Sequence, residues 1–127
     1  MIGKNDMLNF KIQRFDYNYC SEYIICNTRK RVIASVTVEH FSEHKWIDAL
    51  WVDKKYRKQG FATRLMKRAL KDFNGFRFKL WCVPDEEDLK PIPFENLLSF
   101  YRSFGFVLDK ESNDRSHLML KRKIRGD

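Results

Sequence analysis

The chain has 127 residues, 43% hydrophobic and 15% aromatic, with 25 Lys and Arg against 17 Asp and Glu for a net charge of +8. Such aromatic content excludes a disordered chain, which could not repay its ordering entropy, and the length suits one domain over residues 1–127. No apolar run approaches the ~20 residues that cross a bilayer, and MIGKNDMLNF lacks a signal core, so a cytoplasmic protein without membrane association is expected.

Residues 8–14, LNFKIQR, alternate apolar and polar as a half-buried strand does, with Leu8, Phe10 and Ile12 on one face. SEYIICN and RVIASVTVEH are β-branched segments separated by Thr28, Arg29 and Lys30, which reads as a hairpin of longer strands. A fourth strand follows in KWIDALWV. The polar stretch at residues 53–60 ends it, and GFATRLMKRALKDF then changes the period from two to 3.6. Ala62, Leu65, Met66, Ala69, Leu70 and Phe73 share one helical face, and Arg64, Lys67, Arg68 and Lys71 the other. Asn74 and Gly75 stop that helix.

FRFKLWCV is a fifth strand. Residues 84–93, with three prolines and the acids Asp85, Glu86, Glu87 and Asp88, form an exposed loop. FENLLSFYRSFG is a second amphipathic helix, and FVLDKE and SHLMLKRKI close the chain as an antiparallel pair around Ser112, Asn113 and Asp114. The order β-β-β-β-α-β-α-β-β makes a mixed, mostly antiparallel α/β domain with two main helices. Cys20, Cys26 and Cys82 form no CxxC pair and no Cys/His cluster, so buried free thiols and no metal site are expected.

Charge is concentrated. Between residues 53 and 79, ten Lys and Arg stand against Asp53 and Asp72 alone, an excess equal to the whole net charge. A strand entering a Gly-containing turn and then a helix is an anion site, because the first helical N–H groups lack partners and the dipole adds positive potential. Gly60 allows close backbone approach there, Ala62 keeps the next turn small, and Arg57 and Lys58 add formal charge.

Leu50, Val52, Tyr56, Arg57, Gly60 and Ala62, followed by Leu65 and Met66, resemble the acyl-coenzyme A signature of the GNAT-type N-acetyltransferase superfamily. Phe100-Tyr101-Arg102-Ser103-Phe104-Gly105-Phe106 resembles its second motif, a helix ending in Tyr-x-x-x-Gly-Phe. The resemblance implies transfer of acetyl from acetyl-CoA to a primary amine in a ternary complex, without a metal. It implies pantetheine laid between the strands at 46–52 and 76–83, with Leu50 and Val52 beside it. The pyrophosphate would meet Arg57, Lys58, Gln59, Gly60, Phe61, Ala62 and Thr63, and Tyr101 would protonate the leaving thiolate. A base for the incoming ammonium is sought among Glu39, His40, His44 and Asp48. Glu39 and Asp48 are preferred, Glu39 because it closes the third strand and Asp48 because it shares strand parity with Leu50 and Val52.

Two departures stand out. Only Phe15, Asp16, Tyr17, Asn18, Tyr19 and Cys20 occupy the place where the family usually has two helices, so an acceptor-cleft wall is absent and a second subunit is one way to cover the open sheet face. Pro93 and Leu97 stand where the family often has Asn and Ala before the Tyr. The basic face of Arg64, Lys67, Arg68 and Lys71 lies beyond a pyrophosphate's reach. It carries the alternative, a nucleic-acid or ribonucleoprotein binding module on the same fold without transfer.

Overall fold

The computed structural model describes residues 10–82, 92–110 and 118–122. Strands β1 (Ile12–Asp16), β2 (Cys20–Cys26), β3 (Val32–His40) and β4 (His44–Val52) form an antiparallel meander. Helix α1 (Phe61–Asp72) crosses to β5 (Arg77–Cys82), and helix α2 (Phe94–Arg102) precedes β6 (Val107–Leu108) and β7 (Leu118–Arg122). The sheet order is β1-β2-β3-β4-β5-β7-β6. Its β4–β5 pair is parallel and its other pairs are antiparallel. A parallel pair needs a crossover, and α1 supplies it. The fold is mixed α/β in the expected order.

Helix α1 forms because its apolar residues recur every three to four positions. Phe61, Leu65, Met66, Ala69 and Leu70 are buried, whereas Lys67, Arg68 and Lys71 are exposed. The sheet answers with Tyr23, Val36, Val38, Ile47, Phe78 and Leu80, all buried. These lie on one face, since residues directly opposite in a ladder project together and Val36 faces Tyr23, Val38 faces Ile47, and Ile47 faces Leu80. Helix α2 adds Tyr101, whose ring lies edge-on to buried Phe106.

The first strand starts later than its alternation predicts. Leu8 lies outside the described residues, and Phe10 precedes the ladder yet is buried, its ring edge-on to Phe61 at 5.4 Å. Phe15 and Asp16, expected in the connection, pair instead with Glu22 and Ser21. The connection from β1 to β2 is therefore a tight turn, and no helix intervenes. Of the three thiols expected to be buried, Cys82 is; Cys20 and Cys26, at the ends of β2, are half-buried, and all are free. Residues 85–88 and 112–114, expected as a loop and a turn, lie outside the described residues. Among the described residues no helix is long and apolar enough to cross a membrane, and no group of His, Cys, Asp and Glu could hold a metal ion.

Candidate active site

Strands β4 and β5 pair only from His44 opposite Arg77 to Ile47 opposite Leu80. Beyond that point β5 continues with β7 and β4 with β3, so the two edges part. A bulge lies at the same place. Thr37 faces Asp48 and Ser35 faces Trp51, which leaves Ala49 and Leu50 together opposite Val36. Ala49 takes φ +50°, a left-handed conformation that alanine adopts rarely and that bulges impose.

The bulge overturns one sequence expectation. An extra residue in a strand reverses the alternation beyond it, so Asp48 does not share a face with Leu50 and Val52. Val52 lies opposite buried Ala34, on the helix-covered face, whereas Asp48 lies opposite Thr37 on the other face, beside Glu39.

At the parting is a cavity of about 630 Å³, lined by Glu39, Phe41, Trp46, Ile47, Asp48, Ala49, Leu50, Trp51, Trp81 and Tyr101. Tyr101, Glu39 and Asp48, separated by up to 62 positions in the chain, thus meet around one space. Tyr101 comes from α2, its ring edge-on to Phe106 at 6.1 Å. Burial raises its proton affinity well above that of a free phenol, and nearby Cys82 adds to the effect, so the hydroxyl stays protonated. The Glu39 carboxyl is raised too, first by its hydrogen bond with Asp48, then by burial and by the charge of Asp48.

The other candidates for a base do not line this space. His40 Nε2 lies 3.0 Å from Ser21 Oγ, which donates to Asp16 at 2.6 Å, and the imidazole ring packs on Phe73 at 5.1 Å. Burial lowers the proton affinity of both His40 and His44. Burial raises that of the Cys82 thiol, which leaves it a poor nucleophile. The sequence reading missed Phe41, Trp46, Trp51 and Trp81 as lining residues. The available signal was Trp46 and Asp48 alternating with buried Ile47 in KWIDALWV.

The turn after β4 is shaped by its backbone. A 3₁₀ turn (Lys54–Tyr56) is capped by Asp53, whose Oδ1 accepts from the Lys55 N–H at 3.0 Å and whose Oδ2 pairs with Arg31 at 3.3 Å. Lys58 at φ +61° and Gly60 at φ +87° then turn the chain left-handed into α1. Gly60 is the N-cap without a side-chain cap, and no acid lies in the first turn. The N–H groups of Phe61, Ala62 and Thr63 therefore lack helical acceptors and point their positive ends outward. Phe61 is buried in the core, so only its backbone faces this end.

Two expected cofactor residues have other partners here. Arg57 Nε donates to the Val52 carbonyl at 3.2 Å, tying the turn to the end of β4. Gln59 Nε2 donates to the Lys55 carbonyl at 3.2 Å, while its buried Oε1 finds no partner. On the basic face of α1, Arg68 pairs with Asp72 at 2.9 Å; Asp72 also takes Arg14 at 3.1 Å and the Tyr23 hydroxyl at 2.8 Å. Lys67 and Lys71 line a second cavity of about 400 Å³ with Leu70, Asn74, Ser103, Phe104 and Arg122. Arg64 is half-buried.

A mixed sheet parted between its parallel strands, with a positive helix N-terminus at the parted end, defines an acyl-CoA N-acyltransferase fold. A family model described as acetyltransferase (GNAT) domain matches residues 20–108, and the chain belongs to this family of acetyltransferases. Escherichia coli ElaA is similar in structure, with a TM-score of 0.64 at 18% identity over 82% of this chain and 68% of that one. The PaiA N-acetyltransferase of Thermoplasma acidophilum, in complex with coenzyme A, gives a TM-score of 0.63 at 16% identity over 83% and 61%. A candidate streptothricin acetyltransferase of Bacillus anthracis, in complex with acetyl coenzyme A, gives 0.62 at 19% identity over 87% and 65%. No curated protein matches the chain.

Proposed function

We propose that the chain is a single catalytic domain that transfers acetyl from acetyl-CoA to a primary amine by direct attack. The observation that carries this reading is the meeting of Tyr101 with the Glu39–Asp48 pair at the parting of β4 and β5. The complexes of the two similar structures with coenzyme A and acetyl coenzyme A support the choice of donor.

In this reading the pyrophosphate rests on the turn at residues 58–63 and the pantetheine arm lies in the parting beside Leu50 and Val52. The carboxyl pair receives a proton from the incoming ammonium, and the neutral nitrogen attacks the thioester carbon. The carbonyl electron pair moves to oxygen, stabilised by backbone N–H groups of bulged β4 that have no partner in β5. The C–S bond then breaks as the carbonyl re-forms, Tyr101 gives its proton to the departing thiolate, and the second proton, shed by the nitrogen that attacked, returns to the Tyr101 oxygen. The Tyr101 hydroxyl is protonated at neutral pH, so a proton is on hand as negative charge develops on sulfur.

Mixing the protein with acetyl-CoA and a panel of primary amines and following free thiol tests the reading. Amine-dependent thiol release with formation of the acetylated amine is expected. Donor binding without release for any amine would overturn it.

A further inference from the structure

The second cavity lies toward the C-terminal end of α1, away from the turn that opens that helix. Three cations converge on it, Lys67 and Lys71 from α1 and Arg122 from β7. Asn74 and Ser103, just beyond the ends of the two helices, add polar side chains, and buried Leu70 with half-buried Phe104 supplies apolar surface. Among the described residues no carboxylate lines this space.

The cations are differently held. Lys67 and Lys71 lie one helical turn apart, so they rise from one face of α1, and both are exposed. Arg122 is anchored: its Nε donates to the Phe104 carbonyl at 2.7 Å, and its side chain runs past Gly105, where an added Cβ would lie 3.7 Å from Nε. That bond uses one of the five guanidinium N–H donors. Asp72, the acid at the end of α1, does not line the cavity and is taken by Arg68, Arg14 and Tyr23. Helix polarity accounts for part of the pattern, since Lys71 lies in the last turn of α1 and answers the negative end of its dipole. Lys67 lies before that turn, where the dipole has little effect. Like charges around one space repel, so the arrangement gains by taking up a multiply charged anion.

We infer that this cavity binds a multiply charged phosphate, a polyphosphate or phosphomonoester, at a site separate from the donor's. A phosphate group presents oxygens in several directions and can accept from α1, β7 and the end of α2 at once, whereas a carboxylate presents two in one plane. A phosphodiester backbone brings one charge per nucleotide and leaves part of the cation set unmatched. The donor's pyrophosphate does not serve the cavity, because Lys67 lies about 9 Å and Lys71 about 15 Å along the axis from the first residue of α1.

Calorimetric titration with inorganic triphosphate tests the inference, in excess coenzyme A so that the turn at residues 58–63 does not compete. One triphosphate per chain is expected, bound about tenfold more weakly in Lys67→Gln and in Lys71→Gln. Arg68→Gln removes an equal charge from the same helix outside the cavity and should change affinity by less than about twofold. All three variants alter exposed side chains, and circular dichroism checks their folding. Citrate and a short oligouridylate should both bind more weakly than triphosphate. No saturable binding, equal losses in Arg68→Gln and the lysine variants, or citrate binding as tightly would overturn the inference. Tighter binding of the oligouridylate would overturn it as well, by assigning this face to nucleic acid. Nothing is transferred in the titration, so its result is independent of the acetyl-transfer reading.

Discussion

The turn that enters α1 and the cavity beside Tyr101 adjoin the same strand but are built differently. The turn is made of backbone: two left-handed residues, an uncapped helix start and Asp53 holding the 3₁₀ turn. The cavity is made of side chains from β3, β4, β5 and α2, brought together by a bulge and a parting of strands. A backbone site depends on conformation at a few positions and suits a ligand that never changes. A side-chain site can be re-specified one residue at a time, which suits an acceptor that differs among enzymes of one family. Tyr101 belongs to the cavity by position and, in the proposed mechanism, would serve the donor.

The largest expected effect breaks the backbone site. Gly60→Glu places a side chain at φ +87° and a carboxylate where the phosphates would lie, so coenzyme A affinity should fall about a hundredfold or more by calorimetry. Unchanged affinity would remove the turn from donor binding. Next, Glu39→Gln disables the proton-accepting pair and should lower kcat with a small amine by about a hundredfold while acetyl-CoA affinity stays the same. Equal kcat would return that role to solvent.

Asp48→Asn sharpens the comparison through pH. If the proposed base is right, the wild-type rate should fall as pH drops through the raised titration of Glu39, because the base would be lost by protonation. Without the Asp48 carboxylate Glu39 holds its proton less tightly, so the acid limb of the rate profile should move to lower pH. A limb that stays in place, or moves upward, would contradict the pairing.

The smallest effect lies away from both sites. Burial raises the proton affinity of Asp72, but hydrogen bonds from Tyr23 and Arg68 outweigh it, and the net direction is downward. A carboxylate depressed in the folded state stabilises above its unfolded titration range, and that stability is lost as pH falls through the folded value. Asp72→Asn should therefore cost about 1–2 kcal/mol near neutral pH by urea unfolding, and the difference should shrink in acid. Acetyl transfer should be unaffected.

Much of the fold was legible because alternation in the strands and the 3.6 period in α1 are written in residue type, and Gly60, Gly75 and Gly105 all take positive φ. The turn was legible for the same reason, since its Gly lies at a spacing that a backbone site requires. The acceptor side was less so. The bulge is centred on Ala49, which carries no glycine mark, and strict alternation across it assigns Asp48 to the wrong face. Glu39 and Asp48 are brought to one face by the regular β3–β4 register before the bulge, which neither segment shows by itself, so the two residues read in sequence as alternatives and in structure as neighbours. Part of the basic charge also found partners that spacing does not reveal: Asp109 is buried between Lys79 at 3.3 Å and Lys121 at 3.8 Å.

The central claim is that chemistry occurs where Tyr101 meets the parting of β4 and β5. Single-turnover transfer by the wild type and by Tyr101→Phe, at matched acetyl-CoA occupancy and saturating amine, tests it most directly. The account predicts a rate about a hundredfold lower in the variant with donor affinity unchanged; equal rates at equal occupancy would contradict it.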